Sequence, residues 1–256
     1  PSRHGKQHGR LEGRDLLGEM IAALHQQGLA AVIYYCSIYV GWYWDQHPEA
    51  RVVDADGVAR RLGINSTGSP RRFSLCCPND WRSPVWVSFQ RTRERWMAEF
   101  GALVTATIRK KKPDVSVAHQ SQGFCWDWLF GPSLELAEAT DWLSADLYGD
   151  RYGLSFYAKL SQALSKKRPF EHINTWCHPT IHEHVVTRTD DELRAGTFGA
   201  FMNDGAMVFI DAVDPDGRLH EAPYASVGQI FRELAPYEPH AGGKLRADVG
   251  VYFSYE

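Results

Sequence analysis

A chain of 256 residues, 44% hydrophobic and 23% charged, has the length of one large domain or two small ones and the composition of an ordinary globular protein. A net charge of −3 gives no electrostatic footprint for nucleic acid, and no run of about 18 apolar residues reads as a membrane span. Five cysteines (Cys36, Cys76, Cys77, Cys125 and Cys177) form no CxxC pair, which argues against a disulfide framework and predicts reduced thiols.

The chain opens PSRHGKQHG, without an initiator Met, and this reads as a loop in mid-domain. No signal peptide is visible in it, so a cytoplasmic and a periplasmic location both stay open. Residues 14–27 place Leu16, Leu17, Met20, Ile21 and Leu24 on one face of a helix, with Gly28 as its C-cap. The apolar run 30–36 reads as a strand covered on both faces, and Tyr39, Trp42, Tyr43 and Trp44 follow it. Residues 48–72 are polar and turn-rich, with a small hairpin over 52–58. A short strand over 73–77 leads to the longest helix, 83–112, in which Pro84 suits the first turn and Trp86, Phe89, Trp96, Phe100 and Leu103 form a buried stripe.

Strands are then predicted over 115–119, 141–148, 170–176 and 206–211, with helices over 154–166, 189–202 and 223–234, and a last strand begins at 248. The basic runs 109–112 and 166–168 each close a helical stretch, where positive charge is favoured by the macrodipole. Strands alternating with helices of 10 residues or more predict a parallel α/β architecture, in which the C-terminal strand ends carry the site.

The residues expected near those ends are Tyr35, Ser37, His119, Gln120, Asp146, Glu171, His172, Trp176 and Asp211. Carboxylates and imidazoles there accompany Trp and Tyr rings, whose flat faces suit sugars. No Gly-x-Gly-x-x-Gly or P-loop pattern supports a nucleotide, and no Gly-x-Ser-x-Gly elbow supports a serine hydrolase. His178, His182 and His184 cluster in CHPTIHEH, but not in the order a zincin needs, so neither metal nor cofactor is expected. Acid/base work on a glycosidic bond needs two carboxyl groups roughly 5 to 10 Å apart. Asp146 and Glu171 are the candidate pair. Asp146 also suits a turn cap, and Glu171, at the start of its strand, also suits the barrel bottom.

The segment DLLGEMIAALHQQGLAAVIYYCSIYVGW resembles the strand-3 region of retaining α-L-fucosidase-type glycoside hydrolases of families 29 and 151. HPEARVVDADG, CCPND, WVSFQRTRERWMAEF, DVSVAHQSQGF, SADLYGD, GAMVFIDAVDPDGRL and DVGVYFS are similar, in the same order, to a group of bacterial proteins. In that group a hypothetical glycosyl hydrolase barrel precedes a β-galactosidase-trimerisation-like domain. The resemblance implies a (β/α)8 TIM-barrel-type fold over residues 1–245, with residues 246–256 beginning the following domain and a homo-oligomer formed through it. It implies retaining hydrolysis of a carbohydrate, with Asp146 and Glu171 as carboxylates and Tyr35, Trp42, His119, Trp126 and Trp176 as sugar contacts.

The family has two barrel strands before the position of Pro1, and between Asp80 and Trp81 a segment carrying the nucleophilic Asp; neither is present, so the barrel is expected to be incomplete and no residue takes the nucleophile role. A catalytically inactive barrel that binds glycan or serves as a scaffold is the alternative, and a β-galactosidase-like hydrolase a further one.

Overall fold

A computed structural model describes residues 9–35, 45–50, 82–120, 133–165, 169–179, 181, 186–211, 218–244 and 246–253. The chain divides into two compact units, Pro1–Trp86 and Val87–Glu256.

In the first unit, helix α1 (Leu16–Gln26) is opened by the Asp15 carboxylate, which accepts from the Gly18 amide, and it stops at Gly28, whose φ of 72° is open to glycine without strain. The strand expected over 30–36 is not formed in its described part: residues 30–35 have no ladder, and Val32 is 89% and Tyr35 76% exposed. A buried parallel strand needs a neighbour to satisfy its amides and a cover for its side chains. Among the described residues no strand pairs with them. The predicted hairpin over 52–58 and strand over 73–77 lie outside the described residues.

The second unit holds most of helix α2 (Pro84–Lys111), the short helix α3 (Leu134–Ala137), then β1 (Ser144–Asp146), α4 (Arg151–Leu164), β2 (Phe170–Thr175), α5 (Asp190–Phe201), β3 (Gly205–Ile210) and α6 (Glu221–Leu234). The helices predicted over 83–112, 154–166, 189–202 and 223–234 and the strands over 170–176 and 206–211 fall close to the observed ones, while the strand over 141–148 shortens to Ser144–Asp146. No strand forms at residues 248–253. Caps explain several boundaries. Asp150 accepts from the Tyr152 and Gly153 amides to start α4, and Thr189 with Glu192 forms a capping box on α5.

The three strands are parallel and lie in chain order, β1-β2-β3. Residues 115–119 form no regular strand, but Gln120 makes a parallel bridge to Ser144, so this segment runs beside β1. It is tied there by Asp141, whose carboxylate accepts from the Val117 amide (2.8 Å) and from Arg109 of α2 (2.6 Å). The fold class is therefore α/β with a parallel sheet.

Alternation along the strands separates two faces. Leu143, Phe170, His172, Asn174, Gly205, Met207 and Phe209 share the face toward the helices. Leu143 and Phe170 pack with Ala158 and Leu164 of α4, and Phe209 meets Phe231 of α6 edge-on at 6.1 Å. Gly205 permits the closest approach: a Cβ there would lie 2.5 Å from the Phe170 ring and 2.9 Å from the Ala200 carbonyl oxygen. The opposite face carries Gln120, Ser144, Asp146, Glu171, Ile173, Thr175, Ala206, Val208 and Ile210, which follow from the registers Gln120↔Ser144, Ser144↔Glu171, Asp146↔Ile173 and Thr175↔Ile210. Among the described residues no helix is long and apolar enough to cross a membrane.

Candidate functional site

Asp146 is the last residue of β1 and stands at the C-terminal edge of the sheet. Its Oδ1 accepts a 2.8 Å hydrogen bond from Gln120 Nε2, a residue brought alongside by the bridge to Ser144. Burial pushes the Asp146 carboxyl above its ordinary range, while hydrogen bonds from the Tyr148 and Gln120 side chains oppose the rise. A carboxyl that holds its proton more tightly than usual is chemically suited to donate it.

Glu171 shares the face of Asp146, but it is the second residue of β2 and so lies toward the start of that strand. The expectation that both carboxylates occupy C-terminal strand ends is corrected here. The register Asp146↔Ile173 sets Glu171 two residues back, roughly 7 Å along the strand direction and one strand across, about 8 Å between Cα atoms on the diagonal.

Two expected ring contacts fall on the other face. His119 is turned toward α2, where its Nε2 shares a 2.8 Å hydrogen bond with Thr105 Oγ1 and its ring approaches Gly101. Burial lowers its pKa, opposed by a backbone hydrogen bond with Gly101. Trp176 is 4% exposed in a cluster with Cys177, Leu193 and Ile230, and its indole stacks on His220 at 5.8 Å. Neither ring is placed to form a sugar platform, because alternation turns both residues toward the helices. Tyr35 lies in the first unit, and Trp42 and Trp126 are outside the described residues. Of the candidate site residues, Asp146 and Glu171 share a face while His119 and Trp176 leave it.

The structure adds residues that sequence reasoning missed. Tyr148 engages Asp146 through its side chain, and Tyr224 of α6 does the same for Asp211, just past β3. Arg188 donates from Nη2 to the carbonyl oxygens of Tyr148 (3.3 Å) and Pro179 (2.8 Å), spanning the loops that leave β1 and β2. Tyr148 was legible as the last residue of the strand predicted over 141–148; nothing local in TRTDDE marks Arg188.

Among the described residues no group of three or more His, Cys, Asp or Glu side chains is arranged to hold a metal ion. Of the cysteines, Cys177 is buried and free, and the other four lie outside the described residues. No family model, no curated protein and no solved structure matches the chain.

Proposed function

We propose that this chain is a carbohydrate-active domain of the (β/α)8 type that hydrolyses glycosidic bonds with retention, in the manner of the α-L-fucosidases it resembles. The observation that carries the reading is the Asp146 carboxyl at the C-terminal edge of a parallel sheet, held by Gln120 and made more basic by burial. In such a site the protonated Asp146 donates to the leaving glycosidic oxygen and recovers the proton from water in the second step. Gln120 fixes the carboxyl rotamer through Oδ1, and the Tyr148 side chain engages the same carboxyl. Glu171 supplies a second carboxylate on the same face, diagonal to Asp146. The nucleophile is assigned to no residue.

A binding domain without turnover is the second reading. It is favoured by the position of Glu171 at the start of β2, away from the edge where Asp146 stands. A panel of 4-nitrophenyl glycosides, α-L-fucoside included, separates the two. The hydrolase reading expects release of nitrophenol from at least one glycoside, and a fall of about 10²-fold or more in the Asp146→Asn variant. No hydrolysis, or an Asp146→Asn rate near that of the wild type, removes it. Calorimetric binding of a glycan without hydrolysis establishes the second reading instead.

A further inference from the structure

Arg188 is a half-buried cation at the loops leaving β1 and β2, and its guanidinium is not neutralised by what it touches. Both of its recorded hydrogen bonds run from Nη2 to neutral carbonyl oxygens, those of Tyr148 and Pro179. Nε is buried without any hydrogen-bond partner, and Nη1 makes no hydrogen bond to the described residues. Glu192, a carboxylate in electrostatic range, is committed elsewhere: its Oε2 accepts from the Thr189 amide and hydroxyl, each at 2.9 Å, in the capping box of α5. Burial outweighs these neighbours and lowers the Arg188 pKa. A half-buried guanidinium whose Nε lacks a partner and whose hydrogen bonds reach only neutral carbonyls has donors that suit an anion. Arginine is also the side chain whose planar donors best match carboxylate oxygens.

We infer that Arg188 recognises the carboxylate of an acidic sugar, a uronic acid unit, bound at the edge of the sheet where the Tyr148 and Pro179 carbonyls hold the guanidinium in place. The carboxylate accepts from Nη1 and neutralises the charge, while the sugar ring extends toward the Asp146 end of β1, two residues from Tyr148. The kind of anion rests on the carbohydrate reading above; the anion site itself does not.

The test titrates the whole chain with sodium D-glucuronate, D-glucose and inorganic sulfate at low ionic strength, by calorimetry and by amide resonance shifts. Glucuronate is expected to bind at least about tenfold more tightly than glucose, the size of one charge-assisted contact. It should shift the Tyr148 and Arg188 amide resonances. Arg188→Met is expected to abolish the preference, and Arg188→Lys to keep part of it. The wild-type resonance shifts decide the matter by themselves if Arg188→Met does not fold. The inference is overturned by equal affinity for the two sugars, by no glucuronate binding, by a preference that survives in Arg188→Met, or by sulfate binding as tightly as glucuronate. Uronate binding without hydrolysis of any glycoside removes only the hydrolase reading; hydrolysis of glycosides without a uronate preference removes only this inference.

Discussion

Neighbouring residues on the two faces of the sheet have opposite fates. His119 turns into the helix layer and bonds Thr105, while Gln120 turns the other way and holds Asp146. His172 is 1% exposed behind the helices, while Glu171 remains part-exposed on the far side. Trp176 joins the core, while Arg188, whose amide donates to the Trp176 carbonyl oxygen, carries its charge to the outer loops. Chemical type does not decide which of two adjacent polar or aromatic residues serves a site. Parity along the strand does, because successive side chains point to opposite faces.

The sharpest way to break that comparison is to remove packing from the helix side. Phe170→Ala is expected to cost about 4 kcal/mol, because the ring is fully buried against Leu143 and Ala158 and its loss leaves a cavity. Chemical denaturation measures it. Val208→Ala on the opposite, part-exposed face should cost well under half as much. Equal losses would mean that the two faces are equally buried.

The next effect is electrostatic. Burial drops the His172 pKa from the ordinary 6.5 to about 4, and neither ring nitrogen has a hydrogen-bond partner. The fold therefore holds the neutral imidazole, and the unfolded chain binds the proton first as pH falls. Stability is unaffected above pH 6.5 and declines as pH drops from there through about 4, by ~3 kcal/mol over the whole window. Melting curves between pH 7 and 4 should show the decline, and His172→Leu should flatten it. An unchanged slope in that variant would place the titrating group elsewhere.

Gly205→Ala comes third. Its methyl would meet the Phe170 ring and the Ala200 carbonyl, so a loss of about 2 kcal/mol is expected from crowding. A neutral thermal shift would show that the Phe170 ring has room to move. The smallest effect belongs to the outer face. Asp146→Asn should change stability by no more than about 0.5 kcal/mol at neutral pH. A carboxyl whose pKa is raised in the fold is disfavoured there when ionised, so a neutral amide carries no such penalty. A large loss would make Asp146 a structural residue.

Much of this fold was legible in the sequence. The three-to-four spacing of apolar residues marked α1 and α2 as helices, and Pro84 and Gly28 marked their ends. The stripe expected to be buried on α2 is not buried along its length: Trp96, Phe100 and Leu103 are exposed. The segment 170–176 and the apolar run at 206–211 became β2 and β3. The run at 30–36 was read in the same way, and its described residues stay exposed, because an apolar run encodes burial without naming the neighbour that provides it. The site was less legible. Asp146 was found from its place at a strand end, and Gln120 was visible in the same way. His119 and Trp176 were counted with them because a strand end was treated as one position and not as two alternating directions. Arg188 depends on two loops meeting 40 and 9 residues away along the chain, which no local pattern records.

The strands lie side by side in the order in which the chain is made. Each new strand can therefore add to an edge that already exists, with no earlier strand displaced and no long loop closed in advance. Pairing is longest between β2 and β3, six residues against three for β1 and β2, and α5 lies between them in the chain and packs on β3. The segment Phe170–Ile210 is therefore expected to act as the folding nucleus of the second unit, assembled from contacts within about forty residues. Its strand amides should be the last in the protein to exchange with deuterium, well after those of β1, whose three residues carry Asp146 at the less protected end.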